Sequence, residues 1–271
     1  MNDTTHDESP DPALVHYAKN RISRRSFGRS AMFGAAGLAA GGAMSIDLGA
    51  QAITDTAILQ FALNLEYLEA EFYTIITTGR TLSQIGIGTS GVGTEGPTVG
   101  GGKLALSQPV MNLALELASD EQAHVKLLRT ALGVNAIAKP TIDFTPGGVR
   151  DELSFLAASR ALEDIGVTAY GGAAPLISDK AILGVAARIA LTEGEHTGAI
   201  RFYISQFTNL RPGPLDGVDI VSRIISADPA SALTGVRTPN QVLAIAFLNA
   251  TPGTSRGGLF PAGVNGPLNT V

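Results

Sequence analysis

Asp120-Glu121-Gln122-Ala123-His124 and its echo, Glu193-Gly194-Glu195-His196, are the stretches that organise this chain. Both contain Glu-x-x-His. On an α-helix, residues three apart share one face, one turn apart. A carboxylate and an imidazole so placed can grip a metal ion from the same side. Two such pairs on two helices, with one inward Glu from each of two further helices, make a six-ligand box for two metals. The chain has four histidines: His6 and His16 fall in an N-terminal segment read below as an export signal, and His124 and His196 each end a Glu-x-x-His. The bland alternative is a helix histidine paired with the Glu one turn before it. That explains either motif alone less strainedly than it explains both.

The 271 residues include no cysteine, which excludes disulfides, thiolate catalysis, iron–sulfur clusters and cysteine-ligated zinc. Any metal must take oxygen and nitrogen ligands. With 45% apolar and 16% charged residues the chain can bury one large core. A net charge of −5 and a pI near 5.4, with no basic run beyond the front end, argue against a nucleic-acid partner.

Residues 1–52 read as a targeting segment. Ser23-Arg24-Arg25-Ser26-Phe27-Gly28-Arg29 resembles the twin-arginine export motif. The run from Ala31 to Ala43 that follows is too short and too weakly apolar for a permanent membrane span. Ala50-Gln51-Ala52 has the small-x-small form of a signal-peptidase site, so cleavage is expected near Ala52. The resemblance implies passage through the twin-arginine machinery, which carries folded and often cofactor-loaded proteins, to a periplasmic or otherwise exported location. A basic flexible tail is the alternative.

Four helices follow. The first is expected from Thr54 to Thr78, with Gly79 closing it. Its apolar stripe carries Glu66 and Glu69 on one face, while Glu71 points elsewhere and is expected in solvent. An inward carboxylate needs a cation or strong donors, so at least one of Glu66 and Glu69 is a candidate ligand. A long Gly-rich loop spans 79–106; it does not sit between a strand and a helix, as a phosphate-binding loop would. The second helix, Ser107 to Leu132, puts Leu117, Glu121, His124 and Leu128 on one stripe. The third, from Asp151 to about Ala169, carries Glu163 inward with Asp164 beside it. The fourth, from Ser178 or Asp179 to about Phe207, carries Glu193 and His196 inward and Glu195 outward. Two of the helices must join by a longer path across the bundle. The tail contains one capped helix after Thr238-Pro239 and a short element over Val218–Ile225.

Ala62-Leu63-Asn64-Leu65-Glu66-Tyr67-Leu68-Glu69-Ala70-Glu71-Phe72-Tyr73, Leu162-Glu163-Asp164-Ile165-Gly166-Val167-Thr168-Ala169-Tyr170, the Thr238-Pro239 helix and Gly257-Gly258-Leu259-Phe260-Pro261 together resemble ferritin-like domain proteins related to plant desiccation-associated proteins. The metal motifs also resemble those of bacterioferritin: a first-helix Glu seven residues before a Tyr, Asp-Glu-x-x-His, Leu-Glu-x-x-Gly, and Glu-x-x-His. The resemblance implies an all-α fold: a ferritin-like four-helix bundle over 53–209, with a long Gly-rich loop and a C-terminal extension over 210–271 packing on it. It implies Glu66, Glu121, His124, Glu163, Glu193 and His196 as metal ligands; the offset to Tyr73 favours Glu66 over its alternative, Glu69. The long loop and tail depart from bacterioferritin on surfaces that a storage cage would need, and the oligomeric state stays open.

Oxygen and nitrogen donors of this kind suit iron first, then manganese or zinc. Four carboxylates neutralise two divalent ions, with Glu121 and Glu193 expected to bridge and positions left for O2 or peroxide. The expected function is oxidation of Fe(II) or consumption of peroxide or O2, as stress protection in the cell envelope. The alternative is a non-catalytic protective or interaction protein whose metals are structural or absent. Tyr67, Tyr73 and Tyr170 are candidates for groups near the metals, or plain core aromatics. Ser-His-Asp hydrolysis is disfavoured, because it would take His124 or His196 from its Glu.

Overall fold

The computed structural model describes residues 53–206, 224–225, 227, 231–248 and 250–271. The expected export signal, the expected helix end at Phe207 and most of the Val218–Ile225 element lie outside them. The fold is all-α: four long helices, α1 (Asp55–Thr78), α2 (Gln108–Leu132), α3 (Glu152–Ala173) and α4 (Lys180–Ile204), then a short α5 (Pro239–Ala246). The named strands are β1 (Thr98–Val99) and β2 (Ile142–Asp143), paired in parallel.

The helix ends follow local chemistry. The Thr54 side chain accepts from Ala57 N, Asp151 forms a capping box with Ser154, and Asp179 accepts from the N–H groups of Ala181 and Ile182. Gly79, at φ 76°, closes α1 in the left-handed region that glycine enters without strain. α3 runs past its expected end to Ala173, and Pro175 lies in the 3-10 turn that follows.

Cross-helix pairs give the directions. Gln122 reaches Thr74 and Arg129 reaches Tyr67, so α1 and α2 are antiparallel. Tyr73 meets Glu163 and Tyr170 meets Glu66, so α1 and α3 are antiparallel too. Hence α2 and α3 run parallel, and the 133–151 connection must travel the length of the bundle, as in ferritin-like topologies. α1 packs chiefly on α2 and α3 on α4, whereas α2 and α4 barely meet.

The crossing connection and the Gly-rich loop together cover the outer face of α1. Val92 and Ala136–Ala138 exchange backbone hydrogen bonds at 2.9 Å, and Phe144 N donates to Val99 O at 2.9 Å. A Cβ at Gly91 or Gly96 would strike the backbone of Ala136–Ala138 or Thr141, so this seam requires glycine. Asn265 from the tail pins the layers: it exchanges hydrogen bonds with Asn64 on α1 and with Thr94, and donates to Ala138 O. As a result every residue from Phe61 to Thr77 is buried. This corrects the expectation for Glu71. It is buried, accepts from Leu82 N at 3.1 Å and lies 3.7 Å from Lys139 Nζ. Burial raises the Glu71 carboxyl, with Lys139 opposing.

Among the described residues no helix is long and apolar enough to cross a membrane.

Candidate dinuclear metal centre

Where the four long helices converge, the interior turns from apolar to carboxylate-lined. Glu66, Glu121, His124 and Glu193 form one group; Glu121, Glu163, Glu193 and His196 form a second. In each, one ligand-type atom per residue lies within 4.8 Å of the others, and every member is buried. Glu121 and Glu193, the carboxylates of the two Glu-x-x-His pairs, belong to both. The imidazole centres are 6.3 Å apart. His124 Nδ1 lies 3.2 Å from Glu66, 3.1 Å from Glu121 and 3.4 Å from Glu193. His196 Nδ1 lies 3.0 Å from Glu121 and 3.2 Å from Glu163. Glu69 is buried but belongs to neither group, and Glu195 is exposed.

The donor set fits metal ions. Glu66 Oε2, Glu121 Oε1 and both oxygens of Glu193 are buried without a hydrogen bond. Those that approach an imidazole nitrogen do so off hydrogen-bond geometry. Buried carboxylate oxygens left this way are costly unless a cation meets them. A convergent set of only oxygen and imidazole nitrogen suits iron, manganese or zinc.

Without a cation the cluster holds protons. Burial and then the charges of Glu121 and Glu163 push the Glu193 carboxyl well up; burial and then Glu193, Glu163, Glu121 and Glu66 do the same to Glu69. Burial and the Glu66 charge push Glu121 up to about 8. The imidazoles go the other way from what burial alone dictates. The carboxylates of Glu121 and Glu163 beside it overcome burial and push His196 up to about 12, and Glu66 chiefly raises His124. Glu66 is the lowered carboxyl: burial is outweighed by His124 beside it. The imidazoliums thus stand where cations belong, and a metal must displace their protons.

A second layer orients the first. Tyr73 Oη donates to Glu163 Oε1 at 2.6 Å, and Tyr170 Oη donates to Glu66 Oε1. Tyr67, by contrast, points away: its hydroxyl donates to Ile137 O and accepts from Arg129. Asp120 Oδ2 lies 3.1 Å from His196 Nε2, the nitrogen facing away from the cluster. A carboxylate there fixes the tautomer and ring orientation of a metal-binding histidine. Asp120→Asn is expected to weaken metal binding about 10–100-fold with the fold intact; calorimetric titration with Mn(II) would check it, and unchanged affinity would remove Asp120 from this role.

Sequence reasoning missed an internal symmetry. Glu66, Tyr73, Glu121 and His124 of the α1–α2 hairpin correspond to Glu163, Tyr170, Glu193 and His196 of α3–α4, and each Tyr follows its Glu by seven residues. The second offset was legible in the sequence. The symmetry breaks where Glu69 corresponds to Gly166. A Cβ on Gly166 would fall well inside contact with Glu193 Oε2 and 3.2 Å from Glu69 Oε1, so the glycine makes room for both carboxylates.

Known proteins agree with this architecture. The chain is similar to the ferritin-like catalase Nec2 of Nesocodon mauritianus, 23% identical over 267 residues, covering 79% of this chain and 84% of that protein. A family model described as ferritin-like domain matches residues 54–206, from the cap of α1 to the end of α4. With more than half its length matched, and four helices that converge on paired carboxylates and imidazoles, the chain belongs to the ferritin-like domain family.

Proposed function

We propose that this chain is an exported, dinuclear iron- or manganese-binding protein that consumes hydrogen peroxide. The observation that carries the reading is the pair of buried four-residue groups sharing Glu121 and Glu193. Glu66 and His124 would hold one ion and Glu163 and His196 the other, with Glu121 and Glu193, which belong to both groups, available to each. Two redox-active ions there would supply electron exchange for disproportionation of two peroxides into two waters and one dioxygen. The similarity to a protein named a ferritin-like catalase supports that choice over Fe(II) oxidation. The chain's own residues contribute charge balance and orientation. Four carboxylates match two divalent ions, and Glu69 lies beside Glu193 across the space that Gly166 leaves open. Tyr73 and Tyr170 fix the outer oxygens of Glu163 and Glu66. Export rests on the Arg24-Arg25 stretch and Ala50-Gln51-Ala52 in the sequence.

The test is elemental analysis of the protein purified through its export route, followed by an oxygen electrode. About two Fe or Mn per chain, with oxygen evolved from added peroxide, is the expected result. Metal bound without oxygen evolution would leave ions that staple the bundle. No metal, even after anaerobic Fe(II) loading, would remove the dinuclear reading.

A further inference from the structure

The internal symmetry breaks a second time, just outside the candidate ligands. Asp120 directly precedes Glu121 of the first Glu-x-x-His; the residue at that position of the second is Thr192. Asp120 reaches from α2 to α4, where its Oδ2 lies 3.1 Å from His196 Nε2. Thr192 makes no such bridge. Its hydroxyl donates at 3.3 Å to Arg188 O, one turn back on its own helix. Among the described residues, every close polar contact of His124 is made at Nδ1. The outer nitrogen of His196 thus has a carboxylate behind it, and that of His124 has none.

The inner surroundings of the two imidazoles are alike. His124 Nδ1 faces Glu66 and Glu121, and His196 Nδ1 faces Glu163 and Glu121. Each outer Glu accepts from a tyrosine, Glu66 from Tyr170 and Glu163 from Tyr73. Glu69 stands beside Glu193, which belongs to both groups, so it does not set one apart from the other. The difference is the outer partner. A carboxylate behind a metal-binding imidazole fixes its tautomer and ring orientation and strengthens the inner nitrogen as a donor; losing it typically weakens metal binding about 10–100-fold. We propose that Asp120 and Thr192 make the two metal positions unequal: the Glu163–His196 position fills first and keeps its ion, and the Glu66–His124 position fills second and exchanges it. The inference rests on the proposed dinuclear centre and names the half of it that responds to metal supply. At scarce metal the chain carries a single ion, and the pair is completed only as supply rises.

The probe is Mn(II), added to the metal-free, full-length protein and followed by calorimetry and electron paramagnetic resonance. An isolated Mn(II) shows resolved hyperfine lines, which spin coupling replaces once both positions of a chain are filled. The expected isotherm has two steps, the first tighter by about tenfold or more beyond the statistical ratio, with the isolated-ion spectrum prevailing through it. Asp120→Asn should weaken the first step alone. Thr192→Asp should tighten the second about tenfold and draw the steps together. Gly194→Asp adds the same charge to the same helix, at an exposed position where a Cβ meets nothing within 4 Å. It should leave the ratio of the steps unchanged, which separates a partner for His124 from a general attraction for cations. His196→Gln should remove the tight step and His124→Gln the weak one. If Thr192→Asp fails to fold, the wild-type isotherm and Asp120→Asn decide the matter. Two equal steps in the wild type, an Asp120→Asn protein weakened alike at both, or Thr192→Asp behaving as Gly194→Asp does would each overturn the inference and leave the dinuclear centre standing. Absence of any Mn(II) or anaerobic Fe(II) uptake would overturn the dinuclear reading, and this inference with it.

Discussion

Glu121→Gln is expected to lower metal content from about two ions per chain to a small fraction of one while raising the unfolding temperature of the metal-free protein at pH 8. Glu121 belongs to both groups, so its loss removes a donor from each ion at once. The effect should exceed the roughly 10–100-fold cost of losing an outer partner such as Asp120. The stability gain comes from the same burial. The folded-state carboxyl is pushed up to about 8 by burial and the Glu66 charge, against an ordinary value near 4.5. A raised carboxyl pKa means the folded state binds the proton more tightly than the unfolded one. Its contribution is favourable on the acid side and is lost as pH rises from about 4.5 through 8. Gln carries no charge to lose, so the variant's advantage should grow over that window, to on the order of a few kcal/mol at most. Elemental analysis and thermal unfolding of metal-free protein at pH 5 and pH 8 measure both halves. Glu195→Ala, on an exposed side chain, is the matched control and should keep its metal. Equal metal content in the two variants would overturn the assignment, and a metal-free Glu121→Gln protein less stable at pH 8 would show that the cluster is not strained.

Gly166→Ala should produce the second large effect: loss of most bound metal, with a stability cost of about 1–3 kcal/mol. In an ordinary helix interior the same change gains roughly 0.5–1 kcal/mol, because Ala loses less backbone freedom. Here the added methyl meets Glu193 Oε2 inside contact distance, with Glu69 Oε1 at 3.2 Å on the other side. Glu193 is fully buried, so its carboxylate has no open side to retreat into. Either it leaves both groups or α3 and α4 separate. Gly194→Ala provides the contrast one residue from Glu193, since a Cβ there meets nothing within 4 Å. It should retain metal and gain stability. If the two substitutions behave alike in calorimetry and metal analysis, Gly166 is not the spacer inferred here.

How much of this was legible before folding follows from the range of each interaction. The four long helices, their caps at Thr54 and Asp179, and the inward stripes bearing Glu121–His124 and Glu193–His196 are set by neighbours within a turn or two, and periodicity reads them from the chain alone. The family resemblance carried the rest of the six-residue set. Contacts across the chain decided what local pattern left open. Glu66 and Glu69 share a helix face and both are buried, but only the path of α2 and α4 past α1 brings Glu66 into a group and leaves Glu69 against Gly166. Glu71 looked solvated because its partner, Lys139, lies on the crossing connection that roofs α1. Tyr67, Tyr73 and Tyr170 are alike in sequence; the antiparallel setting of α1 against α3 turns Tyr73 and Tyr170 onto carboxylates, and Tyr67 faces Ile137. Asp120 meets His196, and the α2–α4 seam opens, for the same reason: the sequence by itself determined which side chains each helix presents, and only the packing of one helix on another decided what they meet.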